Sequence, residues 1–261
     1  MTKAEIQARL RTKILGKGIH CFETIDSTNT CAKKMASEGE PEGTLIHAEE
    51  QTAGRGRFTR TWVSAPGENL TFSVILRPKI SPEQTGLLSM YAAVSVVEAM
   101  KDIPGVSPAC KWPNDILLNG RKCCGILSES IARQGMSPAI VIGIGLNVNQ
   151  TEFPGELAGS ATSIAIASGR SIDRTLLLTA ILERMDHHYT MIQRGDLSSV
   201  LKTWKLYDTT IGKRITVNGN DGKLTGTAVR VDPDGGLIVS ADGIESKVFS
   251  GDVSLSQEIG S

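Results

Sequence analysis

Hydrophobic and polar positions fall into two regimes along this chain. As far as residue 210, strand-length apolar runs alternate with longer helical patterns. After Gly212 only short apolar runs remain, each bounded by a turn pair. In the first regime, residues 3–16 carry an amphipathic helical pattern that stops before Gly16 and Gly18. Residues 20–25 read as a strand. Asp26-Ser27-Thr28-Asn29 then offers N-cap groups for a helix through Ser37, closed by Gly39. Residues 43–50 and 69–77 read as two further strands, the second entered through a Pro66-Gly67 turn. Ser81-Pro82-Glu83-Gln84 places Ser at an N-cap, Pro just inside it and Gln at the third helical position. The helix that it starts, through Met100, is apolar nearly all round and is predicted to be buried. Asn119-Gly120 between the apolar runs 110–118 and 121–129 predicts a hairpin, with Lys122 on one arm and Asn114-Asp115 on the other. Residues 139–149 are apolar on both faces, as a central strand is. Two helices follow, over 173–194 and 197–207, with Gly195 between them.

In the second regime the runs 214–217, 224–231, 236–240 and 244–249 are punctuated by Asn218-Gly219, Asp221-Gly222, Asp234-Gly235 and Asp242-Gly243. This predicts a small all-β unit, of a size that suits an open barrel riding on a larger neighbour. The expected chain is thus α+β. A mixed β-sheet with packed helices occupies residues 1–210, and a small β domain occupies residues 211–261.

Composition narrows the class. Of 261 residues, 28 are basic and 28 acidic. That balance argues against bulk electrostatic binding to nucleic acid or to an anionic membrane. The hydrophobic content of 40% is that of a soluble globular protein, no apolar run could span a bilayer, and the mixed-charge start has no signal-peptide core. A cytoplasmic protein is expected. The five cysteines are odd in number, include an adjacent pair and form no C-x-x-C, so reduced thiols packed as small apolar residues are expected. His20, His47, His187 and His188 lack partners at ligand spacing, and no protein metal cage is expected.

The densest candidate chemistry lies in Gln51-Thr52-Ala53-Gly54-Arg55-Gly56-Arg57-Phe58-Thr59-Arg60-Thr61-Trp62, which has three arginines, two glycines and no acidic residue. Glycine lets backbone N–H groups turn toward a ligand, and arginine adds a planar charged fork that matches phosphate oxygens. The stretch reads as an anion-holding loop or as a basic surface turn between two strands. It is not a Walker P-loop, because the Gly-x-x-x-x-Gly-Lys-Ser/Thr spacing is missing. Ser27-Thr28-Asn29 reads equally as capping alone. Gly143-x-Gly145 lacks the third glycine and the helix start that a dinucleotide site needs, since Val148 stands in the third place.

Taken in order, four segments resemble the biotin–protein ligases. They are Asp26-Ser27-Thr28-Asn29, Gln51 through Trp62, Lys111-Trp112-Pro113-Asn114-Asp115 with Arg121-Lys122 and Gly125-Ile126-Leu127, and Gly143-Ile144-Gly145-Leu146-Asn147. The terminal β unit also looks like the family's SH3-like C-terminal domain. The resemblance implies a class II synthetase-like catalytic domain over residues 1–210. It implies an ATP-dependent ligase that makes biotinyl-5′-AMP and passes biotin to one lysine of a biotin carboxyl carrier protein, acetyl-CoA carboxylase type. ATP and Mg²⁺ are the implied cofactors, with Mg²⁺ carried on the ATP phosphates and not in a protein cage.

Residue by residue, the resemblance gives Ser27, Thr28, Asn29 and Gln51 to biotin's ureido ring. Arg55, Gly56 and Arg57 would close over biotin and the adenylate phosphate, with Gly125 in the same biotin set. Trp62 would pack near adenine. Lys122 would contact the biotin carboxylate and the α-phosphate, and Asn114 and Asn147 the nucleotide. Arg57, Lys122 and Asp115 make the catalytic set, with Asp115 helping to deprotonate the incoming lysine. Arg60 belongs to the ATP set, although the family's usual glycine is replaced by Thr59, which stiffens the second half of the loop. Some family members carry an N-terminal helix-turn-helix domain. The stretch before residue 20 is too short for one, so no DNA binding is expected, and no membrane binding either. An exposed strand edge could pair two copies into a homodimer. Two other readings share features of this one: a lipoate or octanoate ligase on the same fold, and a non-catalytic biotin sensor that binds carriers.

Overall fold

The computed structural model describes residues 1–131, 138–219 and 222–255. The first part of the chain runs α1 (Lys3–Arg9), β1 (Ile19–Ile25), α2 (Thr28–Ser37), β2 (Leu45–Gln51), β3 (Leu70–Leu76) and α3 (Leu87–Met100). It continues through β4 (Pro108–Lys111), β5 (Asp115–Leu118), β6 (Arg121–Ile131) and β7 (Ala139–Leu146) to α4 (Ile164–Ser168), α5 (Arg174–Gln193) and α6 (Ser198–Tyr207). Strands β1 to β7 form one sheet in the order β1-β2-β3-β7-β6-β5-β4, parallel at β1/β2 and antiparallel elsewhere. The sheet is mixed, as expected, and β7 sits at its centre.

Alternation along these strands sorts side chains onto two faces. Leu45, Val74, Ile142, Ile144 and Ile126 face one way into the main core with the buried side of α3, α5 and α6. Ile46, Ile75 and Val141 face the other way, against Ala32 and Ala36 of α2. Helix α3 is as enclosed as its composition demands, with Tyr91, Val94 and Val97 fully buried. The second face is only partly covered by α2, and the rest of it is where the site lies.

The small unit is a five-stranded antiparallel sheet of β8 (Arg214–Gly219), β9 (Gly222–Val231), β10 (Leu237–Ala241), β11 (Ile244–Val248) and β12 (Asp252–Leu255), ordered β11-β10-β9-β8-β12. Four of these strands match the expected runs, and β12 is a fifth beyond them. Asp221 of the expected Asp221-Gly222 turn, and the end of the expected domain, lie outside the described residues. The two units are stitched by Trp112, whose backbone N–H donates to Thr210 Oγ1 at 2.9 Å and whose indole donates to the Gly235 carbonyl at 3.0 Å.

Three local expectations need revision. The first helix stops at Arg9 instead of reaching residue 16, because the Asp186 carboxylate takes the backbone N–H groups of Lys13, Ile14 and Leu15 at 2.7–2.9 Å. The arm 110–118 is two strands, broken by a turn at the cis Trp112-Pro113 bond. The hairpin itself forms through Asn119 and Gly120, both at positive φ, but it carries a bulge. Leu117 pairs with Lys122 while Ile116 pairs with Cys124. Among the described residues, no helix is long and apolar enough to cross a membrane.

Candidate active site

Three glycines leave the second sheet face bare. Gly143 and Gly145 of β7 both point to it, and Gly125 of β6 pairs with Gly145. A Cβ on Gly143 would stand 1.9 Å from Asn29 Oδ1, and one on Gly145 would stand 2.3 Å from Trp62 Cε2. One on Gly125 would meet the same indole at 3.0 Å. The glycine pair in β7 therefore makes room for Asn29 and Trp62 to pack directly against the strand, which explains it without any dinucleotide motif.

At the Asn29 end, Ser27 caps α2 by accepting from the Thr30 N–H. Thr28 donates its backbone N–H and its hydroxyl to Gln51 Oε1 at 2.8 and 3.1 Å. Ser73 of β3 places its Oγ 2.6 Å from Asn29 Oδ1 and 2.8 Å from Thr28 Oγ1. Ser27, Thr28 and Asn29 are all buried. Capping thus accounts for Ser27 only, and the next two residues build a polar pocket floor.

The arginine loop folds back on itself, with Trp62 N–H on the Gly54 carbonyl at 3.0 Å and Gly56 N–H on the Arg60 carbonyl at 2.8 Å. Its tip is Phe58, held at φ 57°, a strained region for a bulky side chain. The three guanidinium groups then diverge. Arg55 reaches Glu129 of β6 at 3.1 and 3.2 Å. Arg57 donates to Asn114 Oδ1 and to the Gly251 carbonyl, each at 3.2 Å. Arg60, despite the neighbouring Thr59, forms a two-pronged pair with Asp252 of β12. The small unit is therefore part of the site's wall.

Lys122 reaches the same space because of the bulge. Plain alternation would turn it away from the face that carries Gly125, but the bulge re-aims it. Its Cε lies 3.3 Å from where a Gly125 Cβ would stand. The same irregularity lets the adjacent Cys123 and Cys124 both enter the main core. Lys122 Nζ lies 2.6 Å from Asp115 Oδ1, outside hydrogen-bond geometry but close enough for an ion pair, and 5.9 Å from the centre of the Trp62 ring.

These groups bound one cavity of about 460 Å³, lined by every expected site residue: Ser27, Thr28, Asn29, Gln51, Arg55, Gly56, Arg57, Arg60, Trp62, Asn114, Asp115, Lys122, Gly125 and Asn147. Phe153, Leu157 and Ala161 add an apolar wall. Burial pulls the Arg57 guanidinium below its ordinary pKa, against the pull of Asp115 and Asp252. The hydrogen bonds that Arg60 donates to the Asp252 carboxylate raise its own pKa. Burial works to raise the Asp252 carboxyl, but Arg60, Lys111 and Lys122 together bring it below its usual value. Three buried atoms at the site have no hydrogen-bond partner among the described residues: the donor Trp62 Nε1, the acceptor Asn147 Oδ1, and Asp115 Oδ1, which is held only by its ion pair with Lys122. Asn147 spends its Nδ2 on the Thr162 carbonyl at 3.0 Å. Such atoms each cost about 1–3 kcal/mol when left unpaired, so a polar ligand there gains by meeting them.

The arrangement can hold an anion between guanidinium and ammonium groups, with a polar floor at one end and an indole at the other. Sequence reasoning missed Ser73, Glu129 and Asp252. Ser73 is one of two hydroxyl residues in an otherwise apolar strand, Glu129 ends the second hairpin arm as an ordinary acidic residue, and Asp252 belongs to a strand too short to show a period.

Comparison with known proteins agrees with this geometry. The Biotin/lipoate A/B protein ligase family matches residues 21–147, and the Biotin protein ligase C terminal domain matches residues 210–256. The bifunctional ligase/repressor BirA of Bacillus subtilis (strain 168) is 36% identical over 257 residues, covering 98% of this chain and 79% of that protein. The biotin–[acetyl-CoA-carboxylase] ligase of Mycobacterium tuberculosis is 31% identical over 255 residues, covering 94% of this chain and 93% of the other. Among solved structures, the biotin protein ligase from Aquifex aeolicus in complex with biotin and ATP has a TM-score of 0.80 at 28% identity, covering 93% of this chain and 100% of that one.

Proposed function

The chain belongs to the biotin/lipoate A/B protein ligase family, and from that premise we propose that it is an ATP-dependent biotin–protein ligase that forms biotinyl-5′-AMP and transfers biotin to a lysine of a carrier domain. The carrying observation is the convergence of Arg57 and Lys122, from separate elements, on one cavity whose ends differ in polarity. Residues 1–210 would form the catalytic domain and residues 211–261 a C-terminal domain that lends Gly251 and Asp252 to its wall.

In the first step the ionised biotin carboxylate attacks the α-phosphorus of ATP. A carboxyl O–P bond forms and pyrophosphate leaves. No base is needed. The requirement is alignment and neutralisation of charge. Thr28, Asn29 and Gln51 hold the ureido ring, whose donors and acceptors must stay paired once buried. The loop residues Arg55, Gly56 and Arg57 lie over the carboxylate and phosphate, and Lys122 bridges the two as charge develops between them. Trp62 offers its face to adenine and its Nε1 to an acceptor, while Asn114, Asn147 and Arg60 complete the nucleotide side. Mg²⁺ carried on the ATP phosphates would supply further neutralisation, and Asn147, whose Oδ1 is unpaired, is the residue that would offer it an oxygen ligand. In the second step the carrier lysine amine attacks the acyl carbon and AMP departs. Asp115, which lines the cavity beside Lys122, would take the proton. A cytoplasmic setting and a carboxylase carrier complete the proposal.

Acid-dependent ATP–pyrophosphate exchange tests it. Biotin is expected to support exchange while lipoate and octanoate do not. Exchange with either of the latter alone would reassign the substrate, and no exchange with any acid would favour a binding role.

A further inference from the structure

One carboxylate outside the expected site ties the floor of the ligand-binding face to the arginine loop over it. Glu129 Oε1 accepts from Lys33 Nζ at 2.7 Å and from Arg55 Nη1 at 3.1 Å. Its Oε2 accepts from Asn29 Nδ2 at 3.0 Å and again from Arg55 at 3.2 Å. Helix α2, strand β6 and the arginine loop thus meet on a side chain only 19% exposed. Burial works to raise its pKa, but the hydrogen bonds from Lys33 and Asn29 and the charge of Arg55 bring it below the ordinary value. It is ionised at neutral pH and can only accept.

That restriction passes along a chain of hydrogen bonds. The Asn29 amide must turn its NH₂ toward Glu129 and the Leu127 carbonyl, which leaves Oδ1 facing Ser73 Oγ. An amide oxygen accepts only, so the single Ser73 proton is committed to Asn29. Ser73 can then only accept from Thr28, and the Thr28 hydroxyl donates either there or to Gln51 Oε1. The Thr28 oxygen keeps its lone pairs for a ligand N–H. At the other end, the same carboxylate holds Arg55 and with it the loop that closes the cavity.

We propose that Glu129 is a positioning residue that couples the floor of the cavity to its arginine lid, fixing the donor direction of the Asn29-Ser73-Thr28 chain while tethering Arg55. The floor half rests on the biotin reading above, because a ureido N–H is what an acceptor at Thr28 selects. The lid half does not depend on it.

The test uses the intact protein and Glu129→Gln. The amide keeps the size of the side chain but loses the charge, and it brings a donor into a nest of donors. Biotin Kd by titration calorimetry is expected to rise about tenfold, the effect of one weakened charge-assisted hydrogen bond, while the KM for ATP rises less, since Glu129 touches no nucleotide-side group directly and reaches that end only through the loop. In ligand-free protein, chymotryptic cleavage after the exposed Phe58 is expected to accelerate several-fold. Arg55→Met removes the tether alone. It should speed cleavage to the same degree, and the double variant should be no faster than Arg55→Met. A folded Glu129→Gln protein with wild-type biotin Kd and wild-type cleavage overturns the proposal. So does a parallel loss of affinity for biotin and ATP together with a lowered Tm, which marks a merely structural residue. If Glu129→Gln fails to fold, wild-type cleavage of Arg55→Met overturns the tether. Wild-type protein that binds no biotin would refute the function reading, and its cleavage rates would still decide the tether.

Discussion

Adding one methyl group at Gly145 should separate the two ends of the cavity. In Gly145→Ala the new Cβ would lie 2.3 Å from Trp62 Cε2 and 2.5 Å from Nε1. Carbon atoms settle at about 3.5–4.0 Å, so the indole must move by more than about 1 Å. It cannot sink toward β6, where even a Cβ on Gly125 would approach it to 3.0 Å. The ring must lift into the space assigned to adenine. Overpacking of this kind costs about 1–3 kcal/mol, which is about 5- to 150-fold in an equilibrium constant. The assay is biotin-dependent ATP–pyrophosphate exchange with each substrate varied in turn. The KM for ATP is expected to rise by a factor in that range, with the KM for biotin nearly unchanged. Gly143→Ala supplies the mirror experiment. Its Cβ would stand 1.9 Å from Asn29 Oδ1, so the loss should fall on biotin. The reasoning is refuted if Gly145→Ala leaves the ATP KM alone, or if both variants raise both KM values alike.

Four further outcomes are expected. Lys122→Met should slow adenylation by about two to three orders of magnitude, as loss of one preorganised charge-stabilising donor does, with Tm within a few degrees of the wild type by calorimetry. Arg57→Gly frees Asn114 and the Gly251 carbonyl from the loop. Biotinyl-5′-AMP should then escape and label lysines on a bystander protein, visible by streptavidin blot, and strict carrier specificity would count against placing Arg57 over the phosphate. Glu49 is held well below its usual pKa, chiefly by the hydrogen bond from His47, with the Met1 amine and Arg174 adding to it. A depressed carboxyl stabilises fully above its unfolded pKa and loses that contribution as pH falls. Glu49→Gln should therefore cost about 3 kcal/mol at pH 7 by urea unfolding, and the gap from wild type should close progressively below pH 4.5, the ordinary value for this carboxyl. Burial raises the thiols of Cys110, Cys123 and Cys124, so native protein at pH 8 should leave these three unmodified by Ellman's reagent until denaturant is added.

What could be read from the sequence was what local chemistry decides. Asn119-Gly120 turns because both residues tolerate positive φ, and Ser27 caps because its hydroxyl meets a free N–H. The arginine loop announces itself because nothing acidic lies within it to neutralise it. The rest depends on atoms far away in the chain. Nothing in residues 3–16 tells that Asp186 will claim three of their N–H groups. Cys123-Cys124 looks like an accident until the bulge puts both in the core and Lys122 in the cavity. Gly143 and Gly145 hint at a nucleotide motif, and only the packing of Asn29 and Trp62 reveals why a side chain is excluded there. Asp252 and Glu129 are ordinary acidic residues in the sequence, and they acquire roles only because Arg60 and Arg55 arrive beside them.

The central claim is that Arg57 and Lys122 converge on a single acyl-phosphate. Incubation of the purified protein with biotin and MgATP, followed by native mass spectrometry, tests it most directly. The account predicts one tightly held biotinyl-5′-AMP per chain in the wild type, retained but formed far more slowly in Lys122→Met, and formed but readily lost in Arg57→Gly. An intact wild-type protein that accumulates no adenylate, or a Lys122→Met protein that forms it at the wild-type rate, would contradict it.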